Sequence, residues 1–207
     1  MGTPSGRGRF FVLDGIDGCG KSTQAARLAR TLGAHSGRPV LHLREPGSTA
    51  AGERIRALLL EPETALSPAA QTLLFAAARR QMLEERVEPA LARGEDVVCE
   101  RFHGSTFAYQ GAALGVGEER VLELLSAWAG EPAPTLTVIL ELAPEAARAR
   151  RGSQDRFEGR GREFHARVAE GYRRYATHVS PVALVDAAHG PDEVAARIWR
   201  EVERAGH

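Results

Sequence analysis

Near the start of the chain, Gly15, Ile16, Asp17, Gly18, Cys19, Gly20, Lys21 and Ser22 fit G-x-x-x-x-G-K-[ST], and Thr23 follows. Glycines let a loop wrap a phosphate so that backbone N–H groups point inward, and a helix starting there adds its positive end. In that frame Lys21 reaches the β/γ-phosphates and the Ser22 hydroxyl holds Mg²⁺. The apolar run "RFFVLD" before the loop predicts a strand, and the pattern from Lys21 onward predicts a helix. This strand–loop–helix order is the context the motif requires. Lys21 is the only lysine in a chain whose other basic residues are arginines, which makes a chance match unlikely to arise from composition.

Further groups able to do chemistry recur after later strands. Arg44 ends the second strand candidate and precedes "EPGSTAAGERIRALLL". A cation beyond a strand's carboxyl end suits a second phosphate, and a solvated surface arginine fits equally well. Glu100 and Arg101 stand at the tip of "VVCE"; the acid can approach Mg²⁺ and the guanidinium can clamp phosphate oxygens, or the two can form a plain strand-end ion pair. Phe75 and Arg79 lie four apart on one predicted helix face, where they could stack on and hydrogen-bond a base or serve as core residue and surface charge. The arginine-dense stretch 147–163 reads as a mobile loop closing over a nucleotide, or as an ordinary charged surface.

Alternating elements must position these groups. Strands are expected at 9–14, 39–43, 96–100, 135–142 and 181–185. Helices are expected at 21–33, 50–60, 67–92, 118–129, 144–151, 159–177 and 191–204, with Pro89 kinking or shortening the third. Short apolar strands separated by helices predict a buried parallel sheet with βαβ crossovers, an α/β fold in one domain over 1–207 after a loose tail at 1–8.

Composition sets the outer bounds. The 207 residues are 43% hydrophobic and 26% charged, with a formal net charge of zero, so no basic footprint for a nucleic-acid polymer is present. No apolar run is long enough for a membrane span, and the first residues carry no signal-peptide core. Cys19 and Cys99 read as reduced thiols of a cytoplasmic protein rather than a disulfide framework. The seven histidines show no metal-ligand spacing.

The segments "GIDGCGKST", "REPGST", "LLFAAARR", "ERFHGSTFAYQG" and "ARARRGSQDRFE", in this order over about residues 9–175, resemble the thymidylate kinase family of P-loop nucleoside monophosphate kinases. The resemblance implies a P-loop NTPase fold, three-layer α/β/α with a five-stranded parallel sheet. It implies transfer of a phosphoryl group from ATP to dTMP, with Mg²⁺ held by Ser22 and Glu100, in a homodimer. By matching position, Asp17 would bind the deoxyribose 3′-OH, and Arg44 and Arg101 the acceptor phosphate. Phe75 would stack on thymine and Arg79 would bond a carbonyl oxygen of the base. Thr106 would touch the base edge, with Gln110 nearby, and Tyr109 would disfavour a ribonucleotide. A lid at about 146–162 would supply the catalytic arginine, Arg150 or Arg151, since Gly18 stands where some members carry one in the loop. Two positions depart from the family pattern. Glu100 replaces the usual aspartate and Ser48 a frequent glycine; the first leaves open a catalytically weak or altered-specificity paralogue.

Overall fold

The computed structural model describes residues 6–61, 63–150 and 161–206. Five strands form one parallel sheet: β1 (Phe10–Gly15), β2 (Val40–Arg44), β3 (Asp96–Glu100), β4 (Leu136–Glu141) and β5 (Val182–Asp186), in the order β2-β3-β1-β4-β5. Every strand lies within one residue of its expected bounds; the central β1, β3 and β4 are short, mostly apolar and almost wholly buried, whereas the edge strands β2 and β5 are partly exposed. All six residues of β1 are buried. Phe10 and Val12 share a core with Met82, Leu83, Val87 and Leu91 on one side, whereas Phe11 and Leu13 share the other core with Leu28 and Leu32. The sheet is therefore the middle of three layers.

Among the described residues the helices are α1 (Lys21–Ser36), α2 (Ala50–Leu60), α3 (Pro68–Met82), α4 (Glu88–Ala92), α5 (His103–Thr106), α6 (Glu118–Ala129), α7 (Pro144–Ala149), α8 (Arg162–His178) and α9 (Pro191–Ala205). Ser67 caps α3 by accepting from the N–H of Ala70, with Pro68 in its first turn, as "SPAA" predicts. The expected single helix 67–92 is interrupted by a π-helical turn, Leu83–Val87. Pro89 has no N–H, and its ring would crowd the carbonyl of Glu85, so a widened turn just before it lets the chain continue.

One helical segment has no counterpart in the sequence reading. Residues 103–113 form α5 and a second π-helical turn, Phe107–Ala113. Its glycines and β-branched Thr106 are poor helix formers. Packing makes it helical: a Cβ on Gly171 of α8 would lie 2.9 Å from the Cα of Ala108, so the two elements pack at backbone contact. The buried carboxylate of Asp14, at the end of β1, ties the segment to the sheet. It accepts from the N–H groups of Phe102 (3.1 Å) and Ser105 (2.9 Å) and from the hydroxyls of Ser105 (2.6 Å) and Tyr172 (2.8 Å). The end of β1, the tip of β3 and helix α8 are thus fixed to one another around a single charge.

Candidate active site

The phosphate loop leaves β1 and enters α1. Gly15, Gly18 and Gly20 have positive φ, and a Cβ at Gly15 would meet the carbonyl oxygen of Leu140 at 2.6 Å. Glycine is required there both by conformation and by space. The buried Lys21 ammonium lies 2.9 Å from the Gly15 carbonyl, 2.8 Å from that of Ile16 and 3.8 Å from the Asp17 carboxylate. It stands in the wall of a long cleft with Ser22, Thr23, Arg44, Glu100, Arg101 and Arg150.

At the tip of β3, Glu100 accepts from the Ser22 hydroxyl at 2.5 Å and from His42 Nε2 at 2.9 Å. Burial works to raise the Glu100 carboxyl, but these two hydrogen bonds, together with the charges of His42 and Lys21, outweigh it and hold the group below the usual carboxylate range. Arg101 follows with φ 68°, a conformation uncommon outside glycine. Its N–H donates to the Leu13 carbonyl at 2.8 Å, and its guanidinium pairs with Asp17 and donates to Ser105 Oγ at 3.2 Å. Burial opposes the Arg101 charge; the Asp17 carboxylate beside it reverses that effect and keeps it cationic. Tyr109 donates to the same carboxylate at 2.7 Å. Asp17 therefore joins the loop, the β3 tip and the 107–113 turn.

Ser48 also has positive φ, 66°, a conformation that favours glycine. Its hydroxyl accepts from the N–H of Arg44 at 3.1 Å and donates to the Arg44 carbonyl at 3.0 Å, contacts that hold the turn in place. The Arg44 side chain is more than half exposed at the cleft and lies 4.0 Å from Glu53.

Beside the cleft opens a smaller pocket, lined by Phe75, Arg79, Thr106, Tyr109 and Gln110 among others. Asp17, Glu45, Arg56 and Arg101 line both spaces, so the two adjoin. Arg79 is 1% exposed, which excludes the surface-charge reading. Its Nε and Nη2 donate to Glu45 at 2.8 and 2.6 Å, and Nη2 also donates to the Phe102 carbonyl at 2.9 Å and the Thr106 hydroxyl at 3.2 Å. Burial pushes Glu45 up to about 7 against the pull of this guanidinium. Two buried donors in this wall, Arg79 Nη1 and Gln110 Nε2, have no hydrogen-bond partner. A buried donor left unpaired is costly, which sets these two atoms apart from the rest of the wall.

The sequence reading brought most of these residues together and missed four. Glu45, Arg56, His42 and Ser105 were not singled out. Arg56 lies on α2, which starts from the same sheet edge as Arg44, and that placement was the available signal. Nothing local marks Glu45, His42 or Ser105, whose partners are 34 to 91 residues away. Arg150 reaches the cleft wall and donates to the Ala187 carbonyl at 3.1 Å. Arg151 and most of the lid lie outside the described residues.

A parallel sheet with its phosphate loop between central β1 and α1, and a cation-lined cleft at the strands' carboxyl ends, defines a P-loop α/β nucleotide-binding protein. A family model described as thymidylate kinase matches residues 13–198. A thymidylate kinase of Deinococcus radiodurans is 40% identical over 97% of this chain and 99% of its own length. That of Leifsonia xyli subsp. xyli is 44% identical over 96% of each. The crystal structure of thymidylate kinase from Ehrlichia chaffeensis superposes with a TM-score of 0.80 at 26% identity, covering 95% of this chain and 99% of the other. The chain belongs to the thymidylate kinase family.

Proposed function

We propose that this member of the thymidylate kinase family phosphorylates dTMP to dTDP with ATP as donor and Mg²⁺ as counter-ion. As a family member it is a kinase, a nucleotide-binding transferase of dTDP biosynthesis. The carrying observation is that the phosphate cleft adjoins a second pocket, the two sharing Asp17, Arg56 and Arg101 in their walls. A donor in the cleft and an acceptor in the pocket would meet phosphate to phosphate at that junction.

The family resemblance suggests the roles, and the placement of the residues around the two spaces supports them. Lys21 and the loop N–H groups would hold the donor phosphates, and Arg44, Arg56 and Arg101 the acceptor phosphate. Phosphoryl transfer asks for alignment and for compensation of charge spread over the transferring oxygens, and the acceptor is already a phosphate oxygen. No strong general base is therefore needed. Phe75 would stack on the base, and the unpaired donors of Arg79 and Gln110 would meet its carbonyl oxygens, with Thr106 at the edge. Asp17 and Tyr109 would face the sugar. Arg150 would serve the donor end of the cleft.

The donor set fits Mg²⁺: Ser22 and Glu100 offer a hydroxyl and a carboxylate side by side, and this ion takes few protein oxygens beside phosphates and water. Bound there, Mg²⁺ would neutralise phosphate charge. A catalytically weak paralogue is not favoured, because the family model, the relatives and the solved structure named above are all thymidylate kinases.

One domain, a homodimer and a cytoplasmic location belong to the same proposal. The dimer is supported by Leu73 and Trp128, 58% and 67% exposed on the adjoining helices α3 and α6. The location is supported by two free buried cysteines and, among the described residues, no helix long and apolar enough to cross a membrane. The deciding experiment is a coupled ADP-release assay with dTMP, dUMP, dCMP, dGMP and UMP. Clear preference for dTMP is expected; equal rates would sink the reading.

A further inference from the structure

Behind the cleft, one contact has no role in the reaction outlined above. His42 lies on β2, where it pairs with Val98 while Arg44 pairs with Glu100, so His42 is diagonal to Glu100 across the ladder. Its Nε2 is 2.9 Å from Glu100 Oε1, and the other oxygen, Oε2, accepts from Ser22 at 2.5 Å. Glu100 and Ser22 line the cleft; His42 is not among the described residues that do. It therefore contacts the carboxylate without itself standing in the cleft wall.

We propose that His42 is a positioning residue, whose ring N–H holds one oxygen of Glu100 so that the other faces Ser22 and the phosphate cleft. A carboxylate can only accept when ionised, so Nε2 is the donor. A glutamate at a strand tip has one more rotatable bond than an aspartate, and an unheld carboxylate would divide its time among rotamers. Two donors on its two oxygens select one orientation. An aspartate would end roughly 1.5 Å short, one C–C bond, and could not span both partners. The histidine and the glutamate are thus a matched pair, and the longer acid is usable because His42 backs it. Groups of this kind, one contact removed from an ion, commonly alter affinity or activity 10- to 100-fold.

The inference rests on the dTMP kinase reading, and the test separates the two. Wild type, H42L, H42Q, E100D and H42L/E100D are compared. The readouts are kcat, the KM for dTMP, and binding of Mn²⁺ by electron paramagnetic resonance in the presence of a non-hydrolysable ATP analogue. H42L is expected to lower kcat about tenfold and weaken Mn²⁺ about tenfold, with the KM for dTMP within about twofold. H42Q, whose amide nitrogen lies near the place of Nε2, is expected to recover most of both. In the E100D background H42L is expected to change nothing further. Wild-type behaviour of H42L, equal losses in both backgrounds, or H42Q no better than H42L would each overturn the pairing. A wild type that turns over no dTMP counts against the kinase reading alone, while the Mn²⁺ measurements still decide the role of His42.

Discussion

The cleft and the pocket beside it are built by different physics. The cleft is a backbone construction: glycines at positive φ, a helix start, and a lysine whose nearest neighbours are carbonyl oxygens. The pocket is a side-chain construction: a buried Arg79–Glu45 pair, an aromatic wall and two donors left unpaired. Backbone groups are the same in every residue, so the first can hold any nucleotide's phosphates. Side chains carry identity, so the second can choose among bases. Rate and selectivity should therefore respond to different substitutions.

The largest effect is expected at Lys21. Lys21→Ala should lower kcat roughly 10²- to 10³-fold, as removal of one aligned charge-stabilising donor does. The loss should be the same for dTMP and dUMP; a loss confined to one acceptor would break the division just drawn. Phe75→Ala should cost roughly 30-fold in kcat/KM for dTMP, within the usual range for a pocket contact, while ATP hydrolysis without acceptor stays unchanged. Equal damage to both reactions would blur the boundary between the two regions. Tyr109→Ala should relax discrimination against ribo-TMP roughly tenfold, read as a ratio of kcat/KM values; an unchanged ratio removes Tyr109 from the sugar site.

The smallest effect concerns stability and tests whether the pocket's buried pair is a burden. Glu45 in the fold keeps its proton up to about 7, against 4.5 when unfolded. The folded state thus binds more protons between these values, so unfolding releases one. The contribution is complete below about 4.5 and is lost as pH rises through about 7, roughly 1–3 kcal/mol in all. Denaturant midpoints at pH 5 and pH 8 should differ less in Glu45→Gln than in wild type. An identical difference would show that other groups set the pH dependence.

The same contrast explains what could be read from the sequence. The loop was legible because its logic is local: eight consecutive residues contain the turn, the cation and the hydroxyl. The centre of the sheet was legible because strands buried on both faces read as short apolar runs, as Phe10 to Leu13 do in β1. Residues 103–113 were not, since Gly104, Thr106 and Gly111 argue against a helix and only Asp14, Tyr172 and α8 enforce one. The break at Leu83–Val87 was half visible, with Pro89 giving the place but not the form. In the site, Phe75 and Arg79 were seen as a helix face, yet the burial of Arg79 depends on Glu45, 34 residues away. Pairings of that kind have no periodicity to betray them.

Lys21 has one more consequence. It is the only ε-amine in the sequence, it is 7% exposed, and it faces the cleft. A lysine-selective nitrogen-15 label would therefore give a single side-chain signal, free of overlap, from the phosphate loop itself. That signal would follow nucleotide arrival at one atom, and an amine-directed reagent slowed by ATP would read the same event by mass.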